Sequence, residues 1–144
     1  MRTYNYIIID DEDLDRFAIS AYLKKYPFLN HIASFSTAQD IEGFFMNKKI
    51  DILFLDIEMP GINGISFLKK VRDKIECPVF ITSHSQYALD AFGLDAADYI
   101  IKPITQDKIA ISLSKIKEKL DAKYKAGLFD QSFKNSSLLI KDGL

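Results

Sequence analysis

Ile52-Leu53-Phe54-Leu55-Asp56-Ile57-Glu58-Met59-Pro60-Gly61 is the stretch on which the reading of this chain turns. Four apolar residues in a row, ended by a carboxylate and then a Pro-Gly turn, describe a short strand covered on both faces. Four further runs share that character: Tyr6 to Ile9, His31 to Phe35, Val79 to Ile81 and Tyr99 to Ile101. The second is the least apolar and is placed by its position in the alternation.

Helical spacing fills the intervals. Leu14, Phe17, Ala18 and Ala21 form one stripe; Ile41, Phe44 and Phe45 form another, opened by Ser36-Thr37 as a cap signal. Leu68, Val71 and Ile75 continue the pattern, Tyr87, Ala88, Ala91 and Phe92 mark a shorter helix, and Ile109, Leu113, Ile116 and Leu120 mark the last, with Thr105 as its N-cap. Five strand–helix alternations predict an α/β sandwich on a five-stranded parallel sheet. Right-handed crossovers make it doubly wound.

The chain has 144 residues, 48% of them hydrophobic, which suits one domain with a short appendage. A formal net charge of -1 gives no bulk attraction for nucleic acid or an anionic membrane. The single cysteine, Cys77, excludes an intrachain disulfide and a Cys-rich metal site, and reads as a buried structural thiol. No apolar segment approaches the roughly 20 residues of a membrane helix. Ile7-Ile8-Ile9 runs straight into Asp10-Asp11-Glu12-Asp13, which is not a signal peptide, so a cytoplasmic location is expected. Periodicity fades by Gly127, and residues 122–144 read as a linker with an incipient strand at Ser136 to Ile140. A strand needs a partner, so these residues are expected to open a second domain.

In doubly wound sheets ligands gather at the carboxyl ends of the strands. The residues there are Asp10-Asp11, Asp56, Thr82-Ser83 and Lys102. Clustered carboxylates repel unless a cation collects them, and Mg²⁺ takes one or two carboxylates, water and phosphate oxygens. Lys102 and the Thr82 hydroxyl would meet phosphoryl oxygens during in-line transfer, with Asp56 as the nucleophile that becomes an acyl phosphate.

Four pieces, Ile-Ile-Asp10-Asp11-Glu12, Leu-Asp56-Ile-Glu-Met-Pro60-Gly61-Ile-Asn-Gly64, Ile-Thr82-Ser83 and Asp-Tyr99-Ile-Ile-Lys102-Pro103, resemble in order the receiver domain of bacterial two-component response regulators, the CheY-like fold. The resemblance covers about residues 4 to 120 and gives a receiver domain at 1–121. It implies that Asp56 accepts a phosphoryl group from a sensor histidine kinase or phosphotransfer protein. It implies Mg²⁺ held by Asp11 directly, Asp10 partly through water, Asp56, and the backbone carbonyl of Glu58. Thr82 and Lys102 would bind the phosphoryl oxygens, Tyr99 would change rotamer with Thr82, and Pro103 would follow a cis peptide bond that aims the lysine. Glu58 and His84, at positions that vary in the family, would border the water path and set the phosphorylated lifetime, while the small Ser83 keeps Asp56 accessible. Such a domain is a signalling phosphoacceptor and not an enzyme, beyond its own phosphotransfer and autodephosphorylation.

Gln-Tyr87-Ala88-Leu89-Asp-Ala91-Phe92 and the tail from Phe133 to Ile140 resemble receivers of the LytTR class. That implies a transcription regulator whose C-terminal DNA-binding domain is mostly absent from these residues, with DNA contacted only through it. It also brings a homodimer through the last two helices and the strand between them. Blander readings exist: Asp10 to Asp13 as a solvated helix start, Met59-Pro60-Gly61 as a turn, Tyr99 as a plain core aromatic, the last stripe as core. Rival functions are a stand-alone receiver that docks a partner, and a haloacid-dehalogenase-type phosphatase. The latter would need a second aspartate where Glu58 stands. A nucleotide-binding fold is rejected for want of a Gly-rich loop after the first strand.

Overall fold

In the computed structural model the described residues are 2–142, with side chains described for 2–127. Five strands, β1 (Tyr4–Ile9), β2 (Leu29–Phe35), β3 (Ile50–Leu55), β4 (Ile75–Thr82) and β5 (Asp98–Ile101), form one parallel sheet in the order β2-β1-β3-β4-β5. Helices α1 (Asp13–Leu23), α2 (Gly64–Val71), α3 (Ala88–Gly93) and α4 (Gln106–Asp142) alternate with them, joined by 3₁₀ turns at Glu42–Phe45 and Arg72–Lys74. The order reverses direction at β1, so right-handed crossovers put α1 on one face and the β2-to-β5 connections on the other. The expected doubly wound sandwich is the one observed. Residues 1–110 form one compact unit and residues 111–144, most of α4, a second.

Alternation builds the core of the first unit. Ile7, Ile9, Leu53, Leu55 and Phe80 face α2 residues Ile65, Phe67, Leu68 and Val71, with Phe45 from the 3₁₀ turn. Tyr6 and Phe54 meet edge to face at 6.0 Å. Cys77 is fully buried, as expected of a structural thiol.

Several sequence expectations give way. The α1 stripe is rotated: Leu14 and Phe17 are 84% and 74% exposed, Ala21 is exposed, and Ile19 and Leu23 are the buried residues. Polar anchoring sets that rotation, because Arg16 Nη1 donates to Asp10 O at 2.7 Å and Asp15 pairs with Lys102. Ile41, Phe44 and Phe45 open no full helix. Phe35, Phe44, Phe45 and Phe67 interlock edge to face with centroids 5.2 to 5.7 Å apart, and Asp40 takes a φ of 63°, so only one 3₁₀ turn forms. Thr37 caps no helix; its hydroxyl accepts from Gln39 N. Ile75 leaves the helix stripe and opens β4 opposite Ile50. On α3 only Ala91 is buried, and Phe92 is 83% exposed.

Thr105 does cap α4, accepting from Lys108 N at 3.2 Å, and Ile109, Leu113, Ile116 and Leu120 are all buried. The helix runs through residues 136–140, where an incipient strand is expected from the sequence. A helix satisfies its own backbone groups where an isolated strand cannot. Side chains of that segment lie outside the described residues. Among the described residues no helix is long and apolar enough to cross a membrane.

Candidate functional site

The sheet's hydrogen bonding extends one residue past the ends of β1, β3 and β5, and that extension places the site. Asp10 N donates to Phe35 O at 3.0 Å, Asp56 N to Ile9 O at 3.0 Å, and Lys102 N to Thr82 O at 2.8 Å. Each functional residue is therefore pinned by the neighbouring strand before its side chain engages anything.

Asp10, Asp11 and Asp56 each offer a carboxylate oxygen, all within 4.8 Å of one another. Asp10 is fully buried and Asp56 nearly so. Lys102 reaches into this cluster, its Nζ 3.0 Å from Asp56 Oδ2, 3.0 Å from Asp10 Oδ2 and 2.7 Å from Asp15 Oδ2. Asp56 Oδ1 accepts from Ile57 N at 2.7 Å. Asp10 Oδ1 accepts from Glu12 N, whereas its Oδ2 is close enough for an ion pair with Lys102 but makes no hydrogen bond of good geometry.

Burial pulls the Lys102 ammonium down, but its partners Asp15, Asp56 and Asp10 more than reverse this and leave it above its ordinary range. Burial pushes the Asp10 carboxyl up to about 6, against the restraining Glu12 N–H and Lys102. A buried, under-coordinated carboxylate oxygen beside two more carboxylates is the donor set of a hard divalent cation. The chain's residues fit Mg²⁺.

One stability consequence follows. The metal-free fold favours protonated Asp10, so this contribution is present below pH ~4, the ordinary carboxyl range, and lost as pH rises through about 6. Asp10→Asn is expected to raise metal-free stability at pH 7 by on the order of 1–3 kcal/mol. Urea unfolding reads this, and a divalent cation held by the Asp10, Asp11 and Asp56 cluster would stabilise the variant less than the wild type.

A second polar group spans the mouth. His84 Nε2 and Tyr87 Oη each lie 2.8 Å from a Glu58 carboxylate oxygen, joining the loop after β3 to the loop after β4. Tyr99 Oη donates to His84 O, and Thr82 Oγ1 accepts from His84 N at 3.2 Å. Thr82 is wholly buried at the end of β4, its hydroxyl turned to the His84 backbone. Ser83 is exposed, and His31 sits on β2 against Ser34 and the Tyr6 ring.

Two turns frame these loops. Gly61 takes a φ of 91°, the left-handed region that glycine tolerates. Asn63 Oδ1 caps α2 through Ile65 N at 2.7 Å, and Gly64 N donates to Ile57 O at 2.7 Å. Lys108 Nζ donates to Ile101 O at 2.7 Å and Pro103 O at 3.0 Å, bracketing Lys102, and the Lys102–Pro103 peptide is cis as expected.

Sequence reasoning missed two members. Asp15 stands on the first turn of α1, which begins two residues after Asp11, and no motif marks it. Tyr87 has the spacing of an apolar helix stripe, yet its hydroxyl donates to Glu58.

Comparison with known proteins agrees with this geometry. The family described as response regulator receiver domain matches residues 6–114. Sensory transduction protein LytT of Bacillus subtilis (strain 168) is 38% identical over 117 residues, 78% of this chain and 47% of that protein. Transcriptional regulatory protein YpdB of Escherichia coli (strain K12) is 31% identical over 112 residues, 76% of this chain and 46% of its own. The chain thus spans about half the length of these curated relatives. Among solved structures, the response regulatory domain of mrkE from Klebsiella pneumoniae superposes with a TM-score of 0.76 at 29% identity, covering 82% of this chain and 98% of that one. The REC domain of AraT from Geobacillus stearothermophilus gives 0.76 at 25% identity, covering 85% and 98%.

Proposed function

The chain belongs to the response-regulator receiver family, and from that premise we propose that Asp56 is its phosphoacceptor, in a Mg²⁺-dependent switch. The observation that carries this reading is Asp56 itself: a nearly buried carboxylate held between Lys102, the Ile57 N–H and two further aspartates at one rim. An oxygen of Asp56 attacks phosphorus in line, an acyl phosphate forms, and the donor's leaving group departs with its bonding electrons. Lys102 takes up negative charge on the phosphoryl oxygens. Thr82 turns its hydroxyl from His84 N toward a phosphoryl oxygen, and Tyr99 moves with it. Asp10, Asp11, Asp56 and the Glu58 carbonyl would hold Mg²⁺, which when bound supplies charge neutralisation.

The donor is a sensor histidine kinase or phosphotransfer protein. Leu14 and Phe17, apolar and exposed on α1 beside the rim, offer it a surface. Thr82 and Tyr99 form the switch, and reversing a 1:99 population takes roughly 5.5 kcal/mol of differential stabilisation. The output we propose is transcription through a C-terminal DNA-binding domain of the LytTR class, beyond a receiver at 1–121 and a linker from 122. Its support is the likeness to LytT and YpdB proteins, of which the matched residues make up only 47% and 46%. Exposed Leu89 and Phe92 on α3 favour homodimerisation there.

Intact-mass measurement after incubation with acetyl phosphate tests the switch. The expected result is a gain of one phosphoryl group that requires Mg²⁺; no gain would refute it. The Glu58–His84–Tyr87 bridge closes one side of the mouth, so it sets how readily water reaches the acyl phosphate. The double variant Glu58→Ala, His84→Ala is expected to change the autodephosphorylation rate severalfold, measured as decay of the phosphorylated mass. An unchanged rate removes that role.

A further inference from the structure

Lys102 carries three ammonium protons, and three carboxylates surround it. Asp10 and Asp56 belong to the rim cluster. Asp15 does not: it stands on the first turn of α1 and its side chain is 36% exposed, yet at 2.7 Å it is the shortest of the three contacts. Asp10 Oδ2 takes no well-formed hydrogen bond from the lysine, so the contacts with which a phosphoryl oxygen on Asp56 must compete for the ammonium are those to Asp56 itself and to Asp15. A cation bound among Asp10, Asp11 and Asp56 would offset their charge, whereas Asp15 lies outside that set and keeps its full pull on the lysine.

We infer that Asp15 is a positioning residue that brakes phosphorylation, competing with the incoming phosphoryl group for the Lys102 ammonium. This rests on the reading of Asp56 as phosphoacceptor. Asp15 forms no bond to the reacting atoms and acts only through Lys102. Its neighbour Asp13 supplies an internal control, because it carries the same charge on the same turn but pairs with Arg16 at 2.6 Å.

The test is a time course of phosphoryl gain from acetyl phosphate with Mg²⁺, on wild type, Asp15→Asn, Asp15→Glu and Asp13→Asn. Asp15→Asn is expected to react roughly two- to fivefold faster, the worth of one partly exposed ion pair. Asp15→Glu should restore the wild-type rate, and Asp13→Asn should match wild type. A second readout needs no metal or phosphoryl group: proton exchange of the Lys102 ammonium, followed by NMR, should quicken in Asp15→Asn. An unchanged or slower Asp15→Asn reaction overturns the brake. So does an equal rise in Asp13→Asn, which would be a field effect, or unchanged ammonium exchange. If wild type takes no phosphoryl group, the phosphoacceptor reading fails and the brake with it; the exchange experiment still decides whether Asp15 holds the lysine.

Discussion

Asp56→Asn is expected to gain no phosphoryl group from acetyl phosphate under conditions where the wild type gains one. The substitution is nearly isosteric. An asparagine can still accept from Ile57 N through its carbonyl, keeping the 2.7 Å contact, but its amide NH2 then faces Lys102 and cannot accept from the ammonium that Asp56 holds at 3.0 Å. What it lacks is a nucleophilic oxygen carrying charge, and no neighbour replaces it. Asp10 is fully buried and tied to Glu12 N, while Asp11 is only partly buried and stands one residue further into the loop. Intact mass distinguishes the outcomes: an adduct of the same size on the variant would move the acceptor to another side chain.

Gly64→Ala is expected to produce the largest loss of stability at a position without chemistry. A Cβ built there would lie 2.1 Å from the Asp56 carbonyl oxygen and 2.9 Å from Ile57 Cα. Both are backbone atoms, so no side chain can swing aside, and the Gly64 N–H to Ile57 O bond of 2.7 Å would be disrupted as the loop moves. A cost of at least about 3 kcal/mol is expected from overpacking with loss of a buried contact. The loop that yields carries Asp56, so the phosphorylation rate should fall in step with the urea midpoint. Gly43→Ala, with nothing within 4 Å of the added carbon, is the matched control and should leave both unchanged. A Gly64→Ala protein as stable as wild type would mean that the close approach of α2 to the acceptor loop is misplaced.

The rim was legible because the sheet alone makes it. Strand periodicity located Asp10, Asp56 and Lys102 at strand ends, and the ladder bonds to Phe35, Ile9 and Thr82 hold them there. Helix faces were harder to read, since polar contacts as well as apolar spacing orient them. Leu14 and Phe17 had the right spacing for a core, but Arg16 and Asp15 are held at the rim and turn those residues outward. The segment Ile41 to Phe45 failed for a related reason: interlocked phenyl rings stop the helix after one turn. Gly64 closes the motif that follows Asp56, yet its purpose is a close backbone approach to Asp56 and Ile57 that no local pattern records. Tyr87 shows the opposite limit, an aromatic whose hydroxyl decides its role.

Lys108 fastens the carbonyls on either side of Lys102 to the opening turn of α4. A tether of this kind transmits load in both directions. A partner that grips that turn more tightly once the rim is charged must, by thermodynamic reciprocity, make the rim hold its charge more tightly in return. At equilibrium a receiver bound to its target would then be more fully charged than an idle one, a coupling carried by one lysine's grip on two carbonyls.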